Sequence, residues 1–510
     1  MDESGRARVK TKLEWFGPYS VIGLFALLLM LPAILTGKLI HDSFWIDLVW
    51  TDQFTALLRE GTLYPRWLPQ SYDGLGAPVF YFYPPLAFYL TGFLGLAGLS
   101  TYASVIAAFG ALLAASGAGM FRWLRGWTAH PLLASILYMA LPYHLMDFYR
   151  RGALAEFAGF ALLPFVAIGL WRAREGRGPV WLALAYGALI MTHLPGAVLT
   201  GVLFIGPYAG IAAIQDKRLP WSMVTGILLG IGLTSVYLIP MLVLKHHVAI
   251  VYMLSQPQYQ AANWSLLTPA RWPSRSGAYL LAILCGPIIL GCAVLLWGRR
   301  DPWAVGSIAI CMIVAGLIPG FWSLPLIANL QFPWRALMLA EFLLVTALAR
   351  TPLRPFLAVA AVVPMLALSV AFLKPVHLYD ANQPHDWFEK HLEVREYVPI
   401  GFPDDHHWYA DAAMTLSRHH RGMIEEGGRA IAPHFYFPSW QVRCNGHRVQ
   451  TVPDPVTRLL SWKGKSANCS MRIELTRSEY WGIGLSLLFL ALLCGMAWRD
   501  RLKISPSTAS

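Results

Sequence analysis

Charge is what this sequence is short of. Asp, Glu, Lys and Arg make up only 13% of its 510 residues, against 56% hydrophobic, whereas soluble domains carry about a quarter charged residues. Together with long apolar runs along almost the whole chain, that scarcity excludes a soluble enzyme and a disordered or fibrous protein. An outer-membrane barrel is excluded too, because its strands alternate over short segments. Cysteine is also sparse. Cys285, Cys292, Cys311 and Cys494 lie inside apolar runs, so there is no disulfide scaffold. Only Cys444 and Cys469 fall in a polar region where a single bridge can form. The sequence has no internal repeat, no phosphate-binding glycine loop and no long domain on the basic side, which argues against coupling to cytoplasmic ATP. The basic N-terminus runs into an apolar stretch with no small-residue cleavage site and reads as a first span.

What is present is an all-α polytopic membrane protein. Apolar runs at 18–36, 102–121, 131–147, 153–170, 179–194, 197–214, 222–243, 278–297, 303–319, 336–349, 355–373 and 480–498 predict about twelve spans. The net charge of +12 sits largely in short clusters between them, where it orients the chain rather than binding nucleic acid. With both termini inside, Arg6 to Lys12, Arg122/Arg125, Arg172/Arg174/Arg177, Lys217/Arg218, Arg299/Arg300, Arg350/Arg354 and Arg499/Arg501/Lys503 all fall in the cytoplasm. The run 79–99 would reverse that parity if it crossed. Its helix starts no earlier than Pro84 or Pro85, which leaves about 21 Å of helix against a core of about 30 Å. Gly92, Gly95 and Gly98 weaken it further, so it reads as a re-entrant or juxtamembrane helix on the outer face.

The predicted organisation is then a transmembrane domain over 1–373 with a first outer loop at 37–101. A small β-rich periplasmic domain follows over 374–479, then a last helix and cytoplasmic tail over 480–510. Asn445-Gly446, between two alternating runs, predicts a hairpin turn.

The candidates for chemistry face outward. Asp42, just past the first span, is placed to accept a proton from a hydroxyl or to hold a metal; Asp42 or Ser43 could equally cap the next helix. Asp47 and Asp52 lie on a helix in the membrane interface. Trp50, Phe54, Leu57 and Leu58 share one of its faces and Asp47, Thr51 and Thr55 another, so its carboxylates read as solvated. Asp147, Arg150 and Arg151 close one span, and Glu156 sits a turn into the next. An intramembrane carboxylate suggests function, and two outward arginines suggest a phosphate partner. The alternative is an internal Arg–Glu or Arg–Asp pair that only fixes packing. His193 is either an acid, a base or donor, or a satisfied polar residue. Arg335 lies in QFPWR, with Glu341 a turn into the following span. Arg66 lies among aromatics in LYPRW, and His41 precedes Asp42. Lys245, His246 and His247 have no metal-site spacing.

The motifs "LLREGTLYPRW", "GLGAPVFYFYPPLAFYL", "YRRGALAE", "THLPG" and "QFPWR", after an aspartate past the first span, resemble the bacterial membrane-protein family labelled 6-pyruvoyl-tetrahydropterin synthase-related. "FYFPSWQVRCNG" before a last span looks like the outer domain of YfhO-type proteins, and both groups are similar to the GT-C glycosyltransferase superfamily. The resemblance covers nearly the whole chain. It implies an enzyme of the bacterial inner membrane that transfers sugar from a polyprenyl-phosphate-linked donor to an envelope glycan, lipid or protein acceptor on the periplasmic face. A divalent cation (Mg or Mn) could assist. By position, the resemblance makes Asp42 the catalytic carboxylate, with Asp147 and Glu156 near a second acidic position. Arg150, Arg151 and Arg335 become candidates for the lipid phosphate, and Arg66 and His193 for further substrate contacts. Such proteins carry a histidine a few residues after the aspartate, where Trp45, Ile46 and Asp47 stand here, so His41 or Asp47 would have to substitute. A transporter or flippase of lipid-linked saccharide, or a non-catalytic assembly protein, are the competing readings.

Overall fold

The computed structural model describes residues 3–36, 43–72, 74–250, 255–269, 277–297, 301–318, 320–351, 355–373, 394–401 and 423–504. The helices are α1 (Glu3–Thr36), α2 (Phe44–Arg59), α3 (Val79–Phe82), α4 (Leu86–Leu96), α5 (Thr101–Leu124), α6 (Pro131–Met139), α7 (Pro142–Met146), α8 (Leu154–Arg174) and α9 (Val180–Thr192). They continue as α10 (Leu194–Thr200), α11 (Gly206–Asp216), α12 (Trp221–Leu233), α13 (Ser235–Leu244), α14 (Gly277–Trp297), α15 (Pro302–Val314), α16 (Leu337–Arg350), α17 (Pro355–Phe372) and α18 (Arg477–Ile504).

Each of the twelve predicted intervals contains apolar helix, but fewer helices have full spanning length. Among the described residues five are long and apolar enough to cross a membrane, or six if the bent α12–α13 pair is one span. Local sequence explains the shortening. The run 131–147 breaks at Leu141, which is extended before Pro142, as a residue preceding proline prefers. The run 179–194 ends where His193 turns extended two residues before Pro195. Between α12 and α13 the axis bends by 63°. Ser486 on α18 repairs that break. Its Oγ accepts from the Val236 N–H at 2.8 Å and its hydroxyl donates to the Leu233 carbonyl at 2.9 Å, partnering backbone groups that lipid cannot.

In the segment 79–99 the longer helix begins at Leu86, just after the predicted start at Pro84 or Pro85. This helix, α4, has 11 residues, about 16 Å, too short for a core of about 30 Å. The glycines do more than weaken it. A Cβ on Gly92 would lie 2.8 Å from Leu58 Cδ1, and one on Gly95 would lie 2.7 Å from Thr55 Cγ2. They let α4 close onto α2, where the Thr51 hydroxyl donates to Thr91 Oγ1 at 3.0 Å. The expectation of solvated carboxylates on α2 is corrected by this contact. Asp47, Thr51, Gln53 and Thr55 are buried along with Trp50 and Phe54, because α4, α5 and the Arg151–Leu154 segment cover the polar face as well. Asp52 accepts from the Thr101 hydroxyl at 2.8 Å.

The β-rich part lies near the C-terminus, as expected; residues 374–393 and 402–422 of its predicted range are outside the described residues. Strands β1 (Ile424–Glu426), β2 (Arg429–Phe435), β3 (Trp440–Cys444), β4 (His447–Val449), β5 (Thr451–Pro453), β6 (Leu459–Lys463) and β7 (Cys469–Ile473) form two antiparallel sheets, ordered β1-β2-β6-β5 and β4-β3-β7. Asn445 and Gly446 both take positive φ, the conformation a two-residue hairpin requires. Cys444 and Cys469 face each other across β3 and β7 and form a disulfide. This unit packs on the segment between α2 and α3. The Phe435 N–H donates to the Leu75 carbonyl at 2.8 Å, and Trp67 meets Trp440 edge-on with ring centroids 5.5 Å apart.

Candidate active site

At the end of α7 the helix widens into a single π turn, Asp147–Arg151, closed by Gly152 at φ +58°. Such turns recur at functional sites. A Cβ on Gly152 would lie 2.5 Å from Phe44 Cβ, so the start of the first loop rests directly on this corner. There the Ser43 N–H donates to the Arg151 carbonyl at 2.9 Å. Ser43 is the residue before α2, and its side chain makes no capping bond.

The corner gathers charge. Arg151 Nη1 lies 2.8 Å from Glu156 Oε2 and also pairs with Asp147 Oδ1, while Arg335 Nε approaches the same Glu156 oxygen at 3.2 Å. The Tyr143 hydroxyl donates to Glu156 Oε1 and accepts from Arg151 Nη1 at 3.3 Å. Arg335 Nη2 also donates to Gln331 Oε1 at 3.1 Å. The Phe332 ring lies 5.9 Å from the Arg151 guanidinium carbon and 5.2 Å from that of Arg335. Asp147 and Glu156 are buried, and both arginine side chains are 12% exposed. Two cations thus balance two anions almost out of reach of water. Phe332 itself sits at φ +48°, strained for a bulky residue and a mark of sites where the surroundings enforce the geometry.

Two further carboxylates build the frame. Glu341, buried on α16, accepts the N–H groups of Tyr143 at 2.8 Å and His144 at 3.3 Å, capping α7. Asp47 accepts the Leu154 N–H at 3.1 Å, capping α8, so its part here is positioning. Burial pushes the Asp47 carboxyl well above the usual carboxylate range, with the Leu154 N–H opposing. A carboxyl whose folded pKa is raised withdraws stability as pH climbs from the unfolded value near 4 through the raised one. Asp47→Asn, which keeps an acceptor oxygen, is therefore expected to hold or raise thermal stability at pH 7 and flatten its pH dependence. Asp47→Ala should lose about 1–2 kcal/mol with the cap. Melting curves of both variants between pH 5 and 8 check this.

Of the predicted site residues, Asp147, Arg151, Glu156 and Arg335 come together, and the internal Arg–Glu and Arg–Asp pairs weighed from sequence are formed. Arg150 adjoins the cluster; its Nε is buried with no hydrogen-bond partner among the described residues. His193 is buried within electrostatic reach of Glu156, and its Nδ1 is likewise unpartnered, so it is not the satisfied polar residue of the bland reading. Arg66 is engaged elsewhere. It lies 3.4 Å from Glu479 and 3.8 Å from the Tyr64 ring centroid, joining the first loop to the start of α18. Asp42 and His41 lie outside the described residues. Sequence reasoning did not reach the Tyr143 hydroxyl, and it reached Asp47 only as a substitute for a histidine and Glu341 only as a carboxylate in a span, neither as a helix cap. An isolated Tyr after Pro142 carries no local signal of a partner.

Among the described residues no three His, Cys, Asp or Glu side chains converge, and Asp147 Oδ1 and Glu156 Oε2 are paired with arginines.

Apolar helices of spanning length around a buried, charge-balanced corner define a polytopic membrane protein with a buried polar site. Residues 80–378 match the family described as 6-pyruvoyl-tetrahydropterin synthase related domain, membrane protein, and the chain belongs to it. No curated protein matches the sequence. Among solved structures, two of the arabinofuranosyltransferase AftD from Mycobacteria are similar, the second a point variant. Each is 18% identical and aligns with 80% of this chain, with TM-scores of 0.43 and 0.45. The chain spans less than a third of AftD, 29% and 30% in the two alignments.

Proposed function

We propose that the protein is an inner-membrane glycosyltransferase that moves a sugar from a polyprenyl-phosphate-linked donor to a hydroxyl of an envelope glycan, lipid or protein on the periplasmic face. What supports this reading most is the corner at Arg151. Two guanidinium groups converge there, and polar atoms of Asp147 (Oδ2), Arg150 (Nε), His193 (Nδ1) and Trp334 (Nε1) are buried without hydrogen-bond partners among the described residues. Buried polar groups are normally partnered, and a network serving packing alone would leave fewer of them. A phosphate oxygen and sugar hydroxyls are groups that would satisfy them.

In the proposed reaction the acceptor oxygen attacks the anomeric carbon, its proton passes to Asp42, and the bond from that carbon to the phosphate oxygen breaks with inversion. The polyprenyl phosphate leaves as an anion, and Arg151 and Arg335 stabilise the charge where it develops. Glu156 and Asp147 hold the two guanidinium planes in place, and Asp47 and Glu341 fix the backbone beneath them. The outer β-rich unit, packed on the first loop, keeps that loop over the corner.

Arg335→Lys keeps the charge but loses the planar fork that meets phosphate at two oxygens. It is expected to lower kcat/KM for a polyprenyl-phosphate sugar by about ten-fold or more, at the ~1.4 kcal/mol per decade of a lost charge-assisted bond. Steady-state transfer by purified protein measures it, and unchanged kinetics would remove Arg335 from the site.

A further inference from the structure

From Glu156 to Arg174 helix α8 rises about 27 Å, so its far end lies roughly a hydrocarbon thickness from the Arg151 corner. At that end is a cavity of about 690 Å³ between α8, α10–α11, α15 and α16, within the size range of sites that take small ligands. Its wall is aromatic. Trp127 and Trp303 have ring centroids 5.7 Å apart, and Phe204 and Tyr208 continue the wall at 6.1 and 6.3 Å from Trp303. Its rim is basic. Arg350 is 40% exposed, with its guanidinium 4.8 Å from the Trp127 ring centroid and its Nε 3.5 Å from Asp301. Arg218 is exposed on the rim with no ion pair among the described residues. Arg174 is already neutralised by Asp216, at 2.8 and 3.0 Å, and Glu175 is the opposing rim charge.

The residues at and beyond the opening are apolar and exposed. Ile211, in the lining, is 45% exposed, and Ile214, Leu219 and Trp221 beyond it are 79%, 63% and 66% exposed. Exposed Trp181 and Trp221 sit at the same end, where tryptophan marks the membrane–water boundary. A cavity with an apolar, laterally open wall and a cationic rim at that boundary matches an amphiphile whose anionic head stays at the interface.

We infer that this cavity binds the phosphate head and first tail carbons of an anionic lipid, with Arg218 and Arg350 on the phosphate and the Trp303–Phe204 wall on the tail. The site is separate from the Arg151 corner and stands whether or not the protein transfers sugar. Two sources share this chemistry, a bulk phospholipid such as phosphatidylglycerol and a polyprenyl phosphate.

Native mass spectrometry of the purified full chain, titrated with phosphatidylglycerol, phosphatidylcholine or a polyprenyl phosphate, tests the inference. Phosphatidylglycerol or polyprenyl phosphate should bind well above phosphatidylcholine, and whichever loses more affinity in the cavity variants names the source. Removing both rim charges in Arg218→Gln/Arg350→Gln should weaken that binding about ten-fold or more. Leu203→Trp, which fills the cavity without touching a charge, should weaken it as well, while Arg335→Gln at the far corner should leave phosphatidylglycerol binding unchanged and lower only polyprenyl phosphate held at that corner. Equal binding of all three lipids, or an affinity for both anionic lipids that survives both cavity changes, would overturn it. So would binding lost only in Arg335→Gln, since the ligand would then sit at the Arg151 corner.

Discussion

Arg151→Ala is expected to be among the most damaging single changes in the protein, costing about 3–5 kcal/mol of stability. The cost does not come from the strength of the ion pair, since buried pairs gain little over well-packed apolar groups. It comes from what is left behind. Asp147 is fully buried and Glu156 nearly so, and without Arg151 one guanidinium remains for two carboxylates. Arg335 reaches Glu156 but has no contact with Asp147 among the described residues. The Tyr143 hydroxyl would also lose its donor. Removing charge in balance should hurt less, so Arg151→Met/Asp147→Leu is expected to recover a large part of the loss while leaving transfer dead. Thermal or denaturant unfolding in detergent of the single and double variants measures the difference. A single variant within 1 kcal/mol of wild type would mean that water reaches the corner and that its charges are not held as described.

Asp42→Asn is expected to lower transfer by about 10²–10⁴, the range a positioned general base contributes, with donor binding nearly unchanged. The direction follows from the role assigned. The amide is nearly isosteric and can still accept a hydrogen bond, but it cannot take the acceptor's proton. In the proposed reaction the donor's phosphate is held elsewhere, by the arginines. The next residue, Ser43, donates its N–H to the Arg151 carbonyl at 2.9 Å. A large fall in kcat with unchanged donor affinity is a signature that a structural role would not give, because misfolding or loop displacement would weaken donor binding too.

How far the sequence could be read depended on the distance over which each contact reaches. Apolar intervals, the short helix before the second predicted span and the Asn445-Gly446 turn are local properties, and the structure carries helix or hairpin at each. The pairing of Arg151 with Glu156 lies within one motif and was legible as an alternative. Its second arginine comes from 179 residues away, and the Glu341 cap on Tyr143 from 198; no local pattern announces either. Asp47 misled for a related reason. Its helix alternates apolar and polar faces as an interfacial helix would, yet α4, with glycines where bulk would block approach, closes over the polar side. The twelve apolar intervals were read from hydrophobicity, and within 131–147 and 179–194 proline cuts the helices short. The Arg66–Glu479 pair joins segments from opposite ends of the chain and was out of reach for the same reason.

The most direct test of the central claim is turnover. Purified wild-type protein and Asp42→Asn would be given a panel of polyprenyl-phosphate-linked sugars with water as well as candidate acceptors, and released sugar and new glycoside would be measured. The account predicts donor cleavage by the wild type with at least one sugar and its loss in the variant. Tight binding of the lipid phosphate without turnover of any donor would contradict it and point to a transporter or an assembly scaffold; cleavage undiminished in Asp42→Asn would contradict the role of that carboxylate.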